Sequence, residues 1–292
     1  MPRMRNSLLI LPLWLLATVA SAAEYWVAPD DDVFGEVQVV TARYEDTFVS
    51  LARTYNVGYE SLRRANPGVD PWLPGEGTKI VVPTQFVLPR APHRGIVVNV
   101  AELRLYYFPA DAGTAPEGAP AGSRRIITHP ISIGKMDWST PLGTTSVTGK
   151  VANPSWTPPQ SIRDEHAARN DILPRVVPAG PDNPLGKHAL RLGLPGYLIH
   201  GTNKPSGVGM SVTHGCIRMF PEDIEALYQT VPAGTSVTIV NQPYKLGWTA
   251  AGLYLEAHPP LVKITAADTA EIDEPSTSDT AATEPVLAEG SL

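Results

Sequence analysis

The residues most able to do chemistry lie in one stretch, 197–220, which reads YLIHGTNKPSGVGMSVTHGCIRMF. It holds the chain's single cysteine, Cys216, with His214 two positions before it and His200 at the end of a short apolar run. A free thiol has a pKa of about 8.5, so a nucleophilic cysteine needs a neighbouring base or cation. His214 would share a face with Cys216 in an extended chain, whereas His200 would have to be brought to it by the fold, and spacing alone leaves both open as the base. One cysteine excludes an intrachain disulfide and a multi-cysteine zinc site, and there is no H-E-x-x-H pattern, so no metal is expected. The bland alternative for Cys216 is a small buried hydrophobe, the commonest fate of a free cysteine.

The order His200-Gly201 and then Thr213-His214-Gly215-Cys216-Ile217-Arg218 resembles the signature of the L,D-transpeptidase catalytic domain of YkuD type. The resemblance extends from Gly95 to about Pro260, through PLGTTSVTGKVANPSW, ILPRVVPAGPDNPLG and LYLEAHPPL. It implies that Cys216 is the nucleophile and His200 its base. The carbonyl of Gly201 would accept from His200 Nδ1–H and so present Nε2 to the sulfur, the tautomer-setting task of a triad's third member. Amides around Gly215 and Cys216 would stabilise the oxyanion, and glycine at 215 would allow close backbone approach. His214, Arg218 and Thr213 would position substrate, with the Arg218 fork suited to a carboxylate.

The implied reaction is acyl transfer on a peptidoglycan tetrapeptide stem, releasing D-alanine and leaving a Cys216 thioester. An amine would resolve it: diaminopimelate for 3-3 cross-links, the lysine of an outer-membrane lipoprotein or other protein, or a free D-amino acid. No metal, nucleotide or organic cofactor is implied. The alternatives are an L,D-carboxypeptidase or amidase using water, and a non-catalytic peptidoglycan-binding protein.

The elements that must position these residues are mostly strands. Thirty prolines in 292 residues disfavour long helices. Residues 95–241 carry strand-like runs at 96–100, 103–108, 125–133, 144–150, 189–193, 197–200 and 235–240, with one helix expected at 221–230, where proline sits in a tolerated first-turn position. The expected fold is a mostly β catalytic domain, a YkuD-like sandwich or barrel with short helices. Residues 153–186 form a long Pro-rich excursion of the kind that commonly serves as a lid or binding loop. Trp138 and Trp156 flank the expected cleft.

A small α+β unit precedes this domain at 36–83. Strand-like EVQVVTA leads to a helix entered near Asp46, a second helix at 59–65 ends at Asn66-Pro67, and GTKIVV closes the unit. The βααβ order, with EDTFVSLARTYNV, LRRAN and LPGEGTKIVVP in sequence, resembles the LysM glycan-binding module. It departs from that pattern at Glu45, where glycine is usual. The resemblance implies binding to peptidoglycan glycan. Residues 84–94 read as a linker and 242–265 as a C-terminal extension.

Charge and the chain ends complete the reading. Arg3 and Arg5, an apolar run, and Ala20-Ser21-Ala22-Ala23 form the pattern of a signal peptide at 1–22, too short to span a membrane, so export without a membrane span after cleavage is expected. With the preceding LysM-like unit the layout resembles the Gram-negative periplasmic group of the L,D-transpeptidase family, which implies the periplasm. Residues 266–292 carry seven acids and no Lys or Arg and are expected to be disordered. The formal charge of -6 therefore belongs to the tail, and a nearly neutral body offers no footprint for nucleic acid.

Overall fold

A computed structural model describes residues 23–134, 140–213 and 215–261. The expected signal peptide, the acidic tail, Trp138 and His214 lie outside the described residues. The main feature is a nine-stranded sheet. Its order is β1 (Ala23–Val27), β6 (Arg124–Pro130), β5 (Arg104–Phe108), β4 (Gly95–Asn99), β13 (Ser236–Val240), β8 (Gly143–Ala152), β9 (His188–Leu192), β10 (Leu198–His200) and β12 (Ile217–Arg218). Neighbours are antiparallel except β4 with β13 and β10 with β12.

One strand makes the sheet fold over. The first part of β8 pairs with β13, the rest pairs with β9, and the register shifts between Val147 and Gly149. Such a bulge bends and twists a strand. Ile96, Leu105 and Ile127 from one half of the sheet thus share a buried core with Leu190, Ile199 and Ile217 from the other. The mostly β fold takes the form of one sheet curled over a common core. Helix α4 (Pro221–Thr230) closes that core with Ile224 and Leu227, a pair at i, i+3. Its extent matches the expectation from sequence.

The opposite face of the sheet is also covered. Val97, Tyr106 and Ile126 pack with Phe34 and Phe86, which belong to β2 (Val33–Thr41) and β3 (Lys79–Val87). Between these two strands come α1 (Phe48–Thr54) and α2 (Tyr59–Ala65), and β2 and β3 pair antiparallel, so the order strand, helix, helix, strand is present. The ribbon is longer than the sequence suggests: β3 runs to Val87, into the stretch taken for a linker, because Phe86, Val87 and Leu88 are buried against the sheet. Helix α1 is entered through Thr47 rather than Asp46. Ser50 N–H donates to Thr47 Oγ1 at 3.1 Å and Thr47 N–H to Ser50 Oγ at 2.9 Å, a reciprocal cap.

Several described elements have no counterpart in the sequence reading. Helix α3 (Gln160–Ala167) lies within the Pro-rich excursion, and β14 (Tyr244–Thr249) pairs with β15 (Gly252–Ala257) in the C-terminal extension. A short parallel pair, β7 (Ile133–Gly134) with β11 (Ser211–Thr213), leads into the cysteine. Among the described residues no helix is long and apolar enough to cross a membrane.

Candidate active site

The site forms where β10 and β12 run side by side. Their parallel register sets Ile199 against Ile217 and His200 against Arg218, so Cys216 falls beside the start of β10. Its thiol donates to the carbonyl of Gly196 at 3.6 Å. Burial pushes the thiol pKa up, while a backbone hydrogen bond from Leu198 and the charge of Arg218 oppose the rise. The thiol is therefore the resting form at neutral pH.

His200 is buried, and its Nδ1 lies 2.6 Å from the carbonyl oxygen of Gly201. With the proton on Nδ1, that carbonyl accepts and Nε2 is left as a base, the tautomer the sequence signature implies. Burial first, and the nearby Arg218 cation second, lower the pKa of His200 to about 4, against the smaller upward pull of the Gly201 carbonyl. The pair is neutral imidazole and neutral thiol at pH 7.

The carbonyl of Gly201 is held by backbone packing. Gly201 N–H donates to His188 O at 3.1 Å, and Met219 N–H donates to His200 O at 2.9 Å. Gly186 packs directly on this turn: at φ +68°, a Cβ there would sit 2.7 Å from Thr202 N and 3.1 Å from Gly201 C. Only glycine fits both the left-handed backbone and the contact.

On the other side of the thiol, two hydroxyls orient the loop. Thr140 Oγ1 donates to Gly215 O at 2.8 Å, and Thr213 Oγ1 donates to Cys216 O at 2.6 Å. In a trans peptide the N–H points opposite to the preceding carbonyl, so the Cys216 N–H is turned away from Thr140 and the Ile217 N–H away from Thr213. Gly215 holds φ +101°, a conformation L side chains rarely adopt. Thr213 is buried, with its hydroxyl committed to the Cys216 carbonyl.

Arg218 lines the same cleft with a half-buried guanidinium. Its Nε has no hydrogen-bond partner among the described protein atoms. Burial lowers its pKa, and the neighbouring Cys216 opposes that. A desolvated, underused fork of donors suits a carboxylate.

The cleft has a volume of about 820 Å³ and contains Cys216, His200 and Arg218. One wall comes from the excursion 153–186, through Trp156, Ile162, Leu173 and Val177. That segment is packed, not loose. Trp156 and Val177 exchange two backbone hydrogen bonds of 2.8 Å, and the fully buried Asn183 donates to Pro154 O at 2.9 Å and Pro178 O at 3.0 Å while accepting from Leu185 N–H at 2.9 Å.

The structure thus gathers Cys216, His200, Thr213 and Arg218 around one cleft, with Gly201 and Gly215 adjoining His200 and Cys216 in the chain. Sequence reasoning missed Thr140, Gly186 and the Gly196 and Leu198 backbone. A glycine in the Pro-rich run PDNPLGKH was the only available hint of Gly186, and nothing in the sequence distinguishes Thr140 from other threonines.

Residues 93–239 match the family model of the YkuD L,D-transpeptidase catalytic domain. The chain is 46% identical over 217 residues to the probable L,D-transpeptidase YcfS of Escherichia coli K12, a match covering 73% of this chain and 64% of that protein. It is 41% identical over 249 residues to the probable L,D-transpeptidase YbiS of the same strain, covering 84% of this chain and 78% of the relative. L,D-transpeptidase 3 from Mycobacterium tuberculosis, at 18% identity and a TM-score of 0.36 over 70% of this chain and 91% of that one, is too distant to add to the assignment. The chain belongs to the L,D-transpeptidase family that carries the YkuD catalytic domain.

Proposed function

We propose that this protein is a periplasmic L,D-transpeptidase that acylates Cys216 with a peptidoglycan tetrapeptide stem and passes the acyl group to an amine. The observation that carries the reading is the His200 Nδ1 contact with the Gly201 carbonyl, on a strand directly beside the one entered from Cys216. It leaves His200 Nε2 as the base toward the cleft that holds the thiol.

In the first half-reaction Nε2 takes the proton from Sγ as sulfur attacks the carbonyl carbon between the third residue and terminal D-alanine. The Cys216 N–H, turned away from Thr140, is the donor we assign to the tetrahedral oxyanion. The carbon–nitrogen bond then breaks, Nε2 returns the proton to the D-alanine amine, and a thioester remains. In the second half an acceptor amine attacks, His200 Nε2 takes its proton, the carbon–sulfur bond breaks, and Sγ recovers that proton from Nε2 as it leaves. Arg218 would hold a stem carboxylate, with His214 assisting. Diaminopimelate, a lipoprotein lysine or another protein amine would be the acceptor.

The βααβ unit would bind the glycan as a LysM module. Its β2–α1 and α2–β3 loops meet where Phe48 N–H donates to Pro71 O at 2.7 Å, and they expose Tyr44 and Trp72, flat surfaces suited to sugar rings. The N-terminal residues 1–22 would direct export.

The direct test incubates the protein with a purified tetrapeptide muropeptide and a labelled D-amino acid, reading products by mass spectrometry. Exchange product is expected from the natural chain and none from Cys216→Ala. Turnover by the alanine variant would exclude the thiol mechanism, and tripeptide as sole product would make this a carboxypeptidase.

A further inference from the structure

A module that only raises local concentration at the wall would be tethered to the catalytic body. Here the N-terminal unit is built into it. Helix α2 begins at Gly58, which supplies no side-chain cap, and the first-turn N–H of Glu60 donates instead to the carbonyl of Gly209 at 3.3 Å. The first N–H groups of a helix lack intrahelical partners, so Gly209 completes this helix end. The two backbones touch. Gly209 sits at φ +87°, and a Cβ there would lie 2.4 Å from both Gly58 Cα and Tyr59 N. The next residue, Met210, packs against the unit's own core of Phe48, Leu51 and Leu62.

Gly209 and Met210 belong to the segment between His200 and Cys216. Just before them, Gly207 O accepts from Ser132 Oγ at 2.7 Å, and Arg218 Nη1 lies 3.5 Å from where a Gly207 Cβ would be. Just after them, β11 runs into the Gly215–Cys216 turn. The same unit also grips the chain on the far side of the cysteine. Arg53 Nε and Nη2 meet the Glu222 carboxylate at 2.7 and 2.8 Å, and Asn56 Nδ2 donates to both oxygens of the buried Asp223 at 3.0 and 3.1 Å. The stretch 209–223, with Cys216 in its middle, is held at both ends by one unit.

We infer that the N-terminal unit is a positioning element of the active site: its Gly58–Gly209 contact sets where the following loop carries the Cys216 thiol relative to His200 and Arg218. Sugar binding is not required for this role. The inference rests on Cys216 as nucleophile for its kinetic readout, and on thiol reactivity for a readout that does not.

The experiment uses the full chain and a free tetrapeptide stem lacking any sugar, so that glycan binding contributes nothing. Gly58→Ala would place a Cβ 3.3 Å from Gly209 Cα, enough to move the loop by a few tenths of an ångström. Gly209→Ala is the severe version, and Lys79→Ala, exposed on β3, is the control. Thioester formation is followed by intact mass, and iodoacetamide alkylation of Cys216 is followed against pH. Gly58→Ala should acylate roughly threefold to tenfold more slowly, with a shifted alkylation profile and its melting temperature nearly retained, since small misplacements of reacting groups are costly. Lys79→Ala should match the natural chain in both. If Gly209→Ala fails to fold, Gly58→Ala decides. A folded Gly58→Ala with natural acylation rate and alkylation profile would overturn the inference. Turnover surviving Cys216→Ala would instead refute the nucleophile reading, leaving the alkylation profile to judge the coupling.

Discussion

At the residue scale the site is held in a neutral resting state, and Arg218 is the residue that couples its two halves. The cation lowers the pKa of His200 and, from the other side, eases ionisation of Cys216. With neutral His200 as the proposed base, activity should fall only as pH drops through about 4, well below the ordinary histidine value. The stability sign is the same: the neutral form is favoured in the fold, so stability is lost as pH falls from about 6.5 toward about 4. Arg218→Gln removes the second cause of the depression and leaves burial, so the acid limb of acylation should move upward without reaching 6.5. The thiol should become harder to ionise in the same variant. A pH–rate profile of thioester formation checks both, and an acid limb that stays near 4 would remove Arg218 from this role. Cys216, His200 and Arg218 were legible as candidates through the family signature, while spacing alone left His200 and His214 open as the base. Thr140 and Gly186 were not, because their meaning comes from contacts with Gly215 and Gly201 that no local pattern encodes.

At the element scale the clearest case is the β14–β15 hairpin, whose alternation is inverted. Tyr244, Leu246 and Trp248 face outward and are exposed, while Lys245 is buried to 1%. A pattern reader puts the apolar side inward, which is why the hairpin was not legible. Lys245 is what turns it over. Its ammonium lies 2.7 Å from Glu102 Oε2, 3.0 Å from Glu256 Oε2 and 2.6 Å from Val87 O, joining the hairpin to the sheet and to the end of β3. Burial raises Glu256, but the His258 hydrogen bond, the Lys245 charge and the Val87 N–H outweigh it and hold the carboxyl at about 2. Its contribution is present above the ordinary carboxylate range and is lost as pH falls toward about 2. Burial and the neighbouring Glu256 raise Glu102 instead. Lys245→Met removes the ammonium that bridges the buried Glu102 and the partly buried Glu256, leaving Arg104 at 3.9 Å and His258 at 2.7 Å as their remaining partners, and should cost roughly 3–5 kcal/mol in urea unfolding. Adding Glu102→Gln should recover part of the loss. A cost below about 1 kcal/mol would show that the ion cluster does not dock the hairpin. Helix α4 was legible for the opposite reason: a proline at its start and Ile224 and Leu227 on its inner face agree with its packing. Helix α3 buries only Ile162 in an otherwise polar stretch, so the sequence showed no apolar stripe there.

At the scale of the whole molecule, the active site is a seam between three parts of the chain. The curled sheet supplies His200 and Cys216, the N-terminal unit holds the loop between them, and the excursion 153–186 walls the cleft. The wall bears on which nucleophile resolves the thioester, because water is always available and an amine must be favoured over it. Trp156, Ile162, Leu173 and Val177 place apolar side chains on this wall, beside His166, Asp171 and Asp182 of the same excursion, and a wall that limits solvent would disfavour hydrolysis. The paired backbone hydrogen bonds of Trp156 and Val177 form a neck, so residues 158–175 can be replaced by a short Gly-Ser turn without opening the strands beneath. In that variant Cys216 should still acylate, while the ratio of tripeptide to amine-exchange product rises several-fold as water enters. Mass spectrometry of products from a tetrapeptide muropeptide and a labelled D-amino acid measures the ratio directly. If it stays unchanged while acylation persists, the excursion shapes the cleft without controlling the choice between amine and water.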